Sequence, residues 1–295
     1  MAKPLSYAVV SPVRDEAENL ERLQRCLAGQ TVPPVRWIIV DTGSTDGTRR
    51  VASSLSTRLP NTEFLSVPRP TAAPTRGGPV VVALHLGFAA VQDSVDVVVK
   101  MDADVSFGSE HMELLLAAFD RDPRLGIASG VRHEMVSGTW RPRYSTYGEV
   151  EAQCRAYRQA CLTQILPLEQ RLGWDTIDVA RAISLGWNTV VTDATEFRHH
   201  RPMGERDGSR WRSWYAQGEA SHFLHYRPGY TIARALYRAR TERAALALIL
   251  GFASASLRGQ PREPAPELRR FVRDKQRLRH LNKRRREAVG WVRPE

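Results

Sequence analysis

Cysteine is scarce in this sequence. The 295 residues hold three, Cys26, Cys154 and Cys161, with no CxxC or CxxxC spacing among them. That excludes a disulfide framework and a zinc site of the usual spacing, and reduced thiols suit a reducing compartment. Long apolar runs are missing as well. No stretch reaches the roughly 18 consecutive apolar residues of a membrane span, and the uncharged run at 244–257 is too short. The opening MAKPLSYAVVSPVRDE lacks the succession of basic, apolar and small residues that makes a secretory leader. The expected location is therefore the cytoplasm.

What the chain does have is material for a sizeable core, 42% hydrophobic residues against 25% charged ones, the balance of an ordinary globular protein. Its formal net charge of +11 is uneven, because residues 256–295 hold 13 Lys and Arg against 5 Asp and Glu. The preceding body is nearly neutral. A basic tail attracts polyanions or an anionic membrane surface, or is only a solvated helix face. Proteins that read nucleic acid spread basic and aromatic residues through the fold. Here only the last 40 residues are strongly basic, so a nucleic-acid-binding protein is the weaker alternative.

The most informative stretch is DVVVKMDADVSF at 96–107. Val97, Val98 and Val99 predict a strand covered on both faces. It delivers Asp102 and Asp104 to its carboxyl end, the edge where open α/β sheets bind ligands. Paired carboxylates there suit Mg2+ or Mn2+ shared with a phosphate. An acidic turn after a strand serves equally as a solvated loop or helix cap, so the tripeptide says little alone. Its surroundings say more. Strands are expected at 5–11, 37–40 and 63–67, and helices carry Leu20, Leu23 and Leu27, then Val51, Ala52 and Leu55, then residues 80–91. This alternation predicts a doubly wound α/β domain with right-handed crossovers.

PVRDEAENL at 12–20, IIVDTGSTDGT at 38–48, the glycine-containing segment at 76–87 and MDAD at 101–104 resemble, in order and spacing, the successive motifs of glycosyltransferase family 2. The resemblance implies a GT-A-like mixed sheet flanked by helices. It also implies metal-dependent, inverting transfer of a sugar from a nucleotide diphosphate sugar donor to a hydroxyl of a glycan, lipid or small molecule. Pro12, Arg14, Glu16 and Asp41 would hold the base and ribose, and Arg76, Gly77 and Gly78 would let the backbone approach the diphosphate. Asp102 would meet the ribose or the metal, and Asp104 would ligate a divalent cation, Mn2+ or Mg2+. The residue types fit: carboxylates accept from ribose hydroxyls, glycine admits close backbone approach, and arginine pairs with phosphate. Two positions depart from the family pattern, Thr42, where a second Asp is frequent, and Leu84-His85-Leu86, where Leu-Asn is common.

Beyond Gly130 the polar stretch 131–147 reads as a loop or short hairpin, followed by a helix at 149–165 that would carry both Cys154 and Cys161. In GWDTIDVARAISLGWNTVV at 173–191 a helix ends at Gly186 and a strand follows at 187–191. By resemblance the catalytic base is an acidic residue six positions before an Arg and eleven before a Gly; Asp175 has both spacings, to Arg181 and Gly186. Asp178, one turn on and on nearly the same face, is the alternative, and either reads equally as a carboxylate near a helix N-terminus. Trp174 stands where a Glu usually precedes the base. His199 and His200 resemble the family's late His, sometimes a metal ligand; Arg201, Arg206 and Arg210 are alternative partners for the diphosphate. A basic amphipathic helix at 230–243, a proline-broken link at 259–266 and a last helix at 267–287 follow. The expected organisation is a catalytic domain at 1–205, with a donor half at 1–130 and an acceptor half at 131–205. A helical basic region at 206–295 completes it, and its basic segment beyond Gly259 is expected to be peripheral to catalysis and to serve association with an anionic membrane or the acceptor. A nucleotidyltransferase on a similar sheet is the rival enzyme, but it needs a glycine-rich loop directly after the first strand, where Pro12-Val13-Arg14-Asp15-Glu16 stands.

Overall fold

The computed structural model describes residues 4–55, 59, 61–67, 76–143, 150–201 and 209–277. Its strands are β1 (Tyr7–Val13), β2 (Arg36–Asp41), β3 (Thr62–Ser66), β4 (Val97–Met101), β5 (Val105–Phe107), β6 (Leu125–Val136), β7 (Thr139–Arg143), β8 (Cys154–Arg158) and β9 (Asn188–His199). The helices are α1 (Ala17–Ala28), α2 (Thr48–Leu55), α3 (Gly78–Val91), α4 (His111–Arg121), α5 (Gln159–Ile165), α6 (Trp174–Ser184), α7 (Arg210–Phe223), α8 (Pro228–Ala239), α9 (Ala247–Leu257) and α10 (Pro266–Lys275). One sheet runs β3-β2-β1-β4-β8-β6-β9-β5, with β7 hairpinned onto β6. From β3 to β4 the strands are parallel; β8 is antiparallel to both β4 and β6, β9 is parallel to β6, and β5 is antiparallel to β9. The chain leaves β1 toward β2 and β3, then returns to the other side of β1 at β4. The carboxyl ends of β1 and β4 therefore flank a topological switch point, where such sheets take ligands.

Strand alternation sorts the interior into two cores. Tyr7, Val9, Trp37, Ile39, Val97, Val99 and Met101 face the side covered by α1, α2 and α4, and Ala8, Val10, Ile38, Val40 and Val98 face that of α3, α5 and α6. Coverage on both faces is why these strands read as unbroken apolar runs.

Two of the expected elements need correction. The helix expected at 149–165 begins only at Gln159; residues 154–158 form β8, with Lys100 opposite Arg155 and Met101 opposite Cys154. Cys154 and Cys161 consequently lie on a strand and a helix, not on one helix. The charge of Arg155 hid the strand, although Cys154, Arg155, Ala156 and Tyr157 are all buried. In the stretch 131–147 the hairpin form is the one observed, β6 with β7, while residues 144–149 lie outside the described ones. The strand expected at 187–191 runs on to His199, past a register irregularity opposite Gly130 and Val131. That extension sets His199 opposite Val105, one residue beyond Asp104.

Arg155 is held inside by Asp178 of α6. Its guanidinium donates to both Asp178 carboxylate oxygens at 2.8 Å, to the Asp175 carbonyl at 2.9 Å and to the Val150 carbonyl. The Tyr157 hydroxyl donates to Asp178 at 2.6 Å. Burial pushes the Asp178 carboxyl above the usual carboxylate range even with Arg155 beside it. On its other side α6 meets the C-terminal helices: Ile177 and Ala180 are buried with Phe223, Leu224, Leu268 and Val272. The segment after Gly259 is thus partly core rather than peripheral, because α10 covers the back of α6. The expected boundary at 205/206 falls outside the described residues, as does the second half of the helix expected at 267–287.

Two predictions follow from these buried groups. Asp178→Ala strands a buried guanidinium and should lower unfolding free energy by about 3–5 kcal/mol, whereas replacing both partners by Arg155→Met and Asp178→Leu should recover most of that; urea unfolding measures both. His111 on α4 is 1% exposed, with Nδ1 2.8 Å from Thr195 Oγ1 and Nε2 3.4 Å from Cys154 Sγ, and burial lowers its pKa to about 4. The unfolded chain takes up that proton first, near about pH 6.5. The stability contribution is therefore complete above that pH and is lost as pH falls through the folded value. Linkage puts the loss at about 3 kcal/mol, and His111→Gln should flatten the stability curve over that window.

Candidate active site

Asp102 and Asp104 leave the end of β4 in different surroundings. The Asp102 side chain is 29% exposed and receives the Lys100 ammonium at 2.7 Å. Lys100 is itself buried and also donates to the Ala152 carbonyl at 2.6 Å. Burial pushes the Asp102 carboxyl up, Lys100 pulls it down, and the neighbouring Asp104 charge adds to the rise that results. Burial acts against ionisation of Asp104 too, but His199 and Arg201 outweigh it and hold that carboxyl below the usual range. His199 Nε2 lies 3.5 Å from Asp104 Oδ1, and Arg201 Nη1 lies 3.8 Å from Oδ2. Asp104 Oδ1 and His199 Nδ1 are both buried without a hydrogen-bond partner among the described residues.

Arg201 spends most of its guanidinium on Glu16, donating to the two carboxylate oxygens at 3.0 and 2.8 Å. Glu16 is 5% exposed and also accepts from Asn19 at 2.6 Å. His200 points elsewhere: its Nε2 is 2.7 Å from Ser106 Oγ and its ring meets Trp140 edge-on.

The loops after β1 and β2 are latched together. Asp15, at φ 52°, accepts the Thr45 N–H at 2.7 Å, and its own N–H donates to Ser44 Oγ at 2.9 Å. The Glu16 N–H donates to Thr48 Oγ1 at 2.7 Å. Asp41 is fully buried; one oxygen accepts from the Ser44 N–H and hydroxyl, the other from Arg49 Nε at 2.9 Å. Pro12 is paired in register with Val40, and Arg14 stays half-exposed beside Asp15 at 3.9 Å. Across the edge, Gly77 has φ 85° and a Cβ there would sit 2.7 Å from the Arg171 carbonyl. Only glycine fits both constraints. Gly78 opens α3, and Arg76 donates to the Arg212 carbonyl of α7 at 3.2 Å. His85, within the departure at 84–86, accepts the Leu168 N–H at 2.9 Å and so fastens the segment leading to α6.

The structure separates the two acidic residues that open α6. Asp178 is enclosed and fully engaged, while Asp175 is half-buried and its carboxylate accepts no hydrogen bond among the described residues. Trp174 packs against two cations, its ring centroid 6.0 Å from Lys100 Nζ and 5.9 Å from the Arg155 guanidinium carbon. Lys100 and Trp174 thus join the end of β4 to the start of α6. The pattern search missed Lys100, Arg155 and the Asp15 latch. One signal was present, a lysine inside the apolar run VVVKM. Among the described residues no three His, Cys, Asp or Glu side chains converge as a ready-made metal site. The unsatisfied Asp104 oxygen beside His199 nevertheless fits a hard cation that keeps waters or phosphate oxygens in its shell.

A family model, glycosyl transferase family 2, matches residues 8–172. The chain is 38% identical over 60 residues to the glycosyltransferase AglE of Haloferax volcanii, 20% of each protein. It is 30% identical over 112 residues to the succinoglycan biosynthesis protein ExoA of Rhizobium meliloti, 38% of this chain and 32% of that protein. The matched stretches thus span a third or less of these relatives' own lengths. Among solved structures, the mannosyltransferase PcManGT from Pyrobaculum calidifontis, in complex with GDP-Man and Mn2+, superposes with a TM-score of 0.56 at 15% identity over 97% of this chain and 85% of that one. S. aureus TarS gives 0.53 at 16% identity over 87% and 73%. At such identities the likeness speaks for the fold, a GT-A-like mixed sheet flanked by helices. Because the family model covers more than half of the sequence, and its span takes in β1, β2, β4 and the strand-end carboxylates they carry, the chain belongs to glycosyltransferase family 2.

Proposed function

We propose that the protein transfers a glycosyl group from a nucleoside diphosphate sugar to an acceptor hydroxyl, with inversion at the anomeric carbon and the help of a divalent cation. The observation that carries this reading is the Asp104 carboxylate at the end of β4, held below the usual carboxylate range, with one buried oxygen that makes no full hydrogen bond among the described residues and has His199 Nε2 only at 3.5 Å. Such an oxygen is costly to leave bare. Asp104 and His199 are the residues to hold a cation, with Asp102 turned to the cation or the ribose. His200, tied to Ser106, positions β9 instead. Mn2+ or Mg2+ there supplies Lewis-acid compensation for the charge that develops on the departing diphosphate. The complexes of PcManGT with GDP-Man and Mn2+ and of TarS with UDP support a donor of this class.

The remaining roles fall to the chain's own groups. Pro12, Arg14 and the latched loop carrying Asp41 form the floor for base and ribose. Arg76, Gly77 and Gly78 offer the diphosphate a close backbone and a cation. Glu16, bound by Arg201, acts through that arginine, which stands between Glu16 and Asp104 and so borders the phosphate position. Asp175 takes the proton of the acceptor hydroxyl as the new bond forms. The Arg155 bond to its carbonyl fixes the first turn of α6. Donor contacts thus come from the half before residue 130 and the base from the half after it.

Asp104→Ala should abolish metal-dependent binding of a nucleoside diphosphate while the protein stays folded. Calorimetric titration with and without Mn2+ tests this, and an unchanged metal-dependent affinity would overturn the proposal. Asp175→Asn keeps size but removes basicity, so transfer should fall at least about hundredfold with donor affinity near that of the parent. Asp178→Asn should show the opposite profile, losing stability while turnover per folded molecule stays within a few-fold. Steady-state transfer assays alongside thermal unfolding separate the two.

A further inference from the structure

Away from the site, the helical hairpin of α8 and α9 carries an apolar surface with no place in the transfer chemistry. Of the twelve large apolar side chains exposed among the described residues, six lie here: Ile232, Leu236, Tyr237, Leu246, Leu250 and Leu257, from 39% to 88% exposed. Scattered exposed hydrophobics are ordinary; a concentration marks an interaction site. Ile232 and Leu236 stand one turn apart on α8, and Leu246, Leu250 and Leu257 follow one stripe along α9 and the turn before it. The opposite faces are already used. Thr231 and Ala235 are buried on α8, and Ala247, Leu248, Gly251 and Ala255 on α9. Gly251 packs so tightly on α7 that a Cβ there would fall 2.0 Å from the Tyr215 carbonyl oxygen. The exposed stripes are therefore the outer side of a well-packed platform.

Charge identifies the occupant. Between residues 227 and 258 stand six arginines, Arg227, Arg234, Arg238, Arg240, Arg243 and Arg258, against one acid, Glu242. Glu242 is paired with Arg210 at 3.7 Å. Arg238 and Arg240 stand at the end of α8 and Arg243 opens the turn that leads to α9. A second copy of the chain would set arginine against arginine, since a two-fold interface is self-complementary. Nucleic acid would leave the leucines in water. An anionic bilayer satisfies both, with acyl chains for the leucines and phosphates for the arginines. No described helix is long and apolar enough to cross a membrane, so the contact lies in the interface.

We propose that the α8–α9 hairpin docks flat on an anionic membrane, with Ile232, Leu236, Leu246, Leu250 and Leu257 entering the acyl boundary and Arg238, Arg240 and Arg243 meeting lipid phosphates. This surface stands independently of the proposed transfer reaction. Co-sedimentation of the full chain with phosphatidylcholine vesicles, with and without phosphatidylserine, tests it. Binding should require phosphatidylserine and weaken with salt as exposed charges are screened. Leu236→Glu with Leu250→Glu should lower partitioning at least about tenfold. Arg238→Gln and Arg240→Gln should each lower it about fivefold. Circular dichroism and nucleoside diphosphate binding should match the parent in every variant. The proposal is overturned if the leucine variant partitions like the parent, or if vesicles without phosphatidylserine bind equally well. It is also overturned if the parent fails to bind at low salt, or if it is a dimer in light scattering that the leucine changes dissolve. Loss of binding only on charge reversal within 278–295 would assign docking to the basic tail instead.

Discussion

Crowding of negative charge at one edge of a sheet is the constraint this molecule has to satisfy. Glu16, Asp41, Asp102 and Asp104 all come off the ends of β1, β2 and β4, three of them with little or no contact with water. Like charges so placed, in surroundings of low polarity, repel strongly. The fold sets a cation against each in turn: Arg49 on Asp41, Lys100 on Asp102, and Arg201 on Glu16 with a weaker reach to Asp104. These cations come from α2, from β4 itself and from the end of β9. The edge is tolerable only once distant parts of the chain have closed around it, so site and fold are one problem. Asp104 is the carboxylate left incompletely served.

How much of this could be read beforehand varies with coverage. β1, β2 and β4 lie between two helical layers and show it as apolar runs, and the helices between them show their inward leucines at regular spacing. β8 shows neither, because its Arg155 belongs to a pair made with Asp178, 23 residues later. Local periodicity cannot see a charge cancelled from another element. The same contact divides Asp175 from Asp178, which helical geometry alone puts on nearly one face. The different placements of His199 and His200 were hidden for a milder reason: the end of β9 is too polar to read as a strand. Once it is a strand, alternation puts His199 on the same inward face as Phe197.

The region after residue 209 changes in meaning as well. Composition makes it a basic appendage, whereas α7 and α10 form the far wall of α6. α6 is held between the sheet on one side and these helices on the other. Trp174, unusual for its position in the family, packs against two buried cations, Lys100 and Arg155, at the front of that helix. The first turn carrying Asp175 is thereby fixed from three directions by Arg155, Trp174 and the C-terminal core.

The contact of Gly77 with the backbone at 171 and 172 has a consequence for the order of events. There is no side chain between the two loops to act as a cushion, so a displacement of one is a displacement of the other. On the proposed reading, one loop opens the helix beside the diphosphate and the other leads into the helix that carries the base. If donor binding under the proposed chemistry shifts the first loop, acceptor affinity changes with it, and thermodynamic reciprocity requires the acceptor to change donor affinity by the same factor. The two substrates then bind as coupled events, and the coupling resides in an amino acid that contributes no side chain to either.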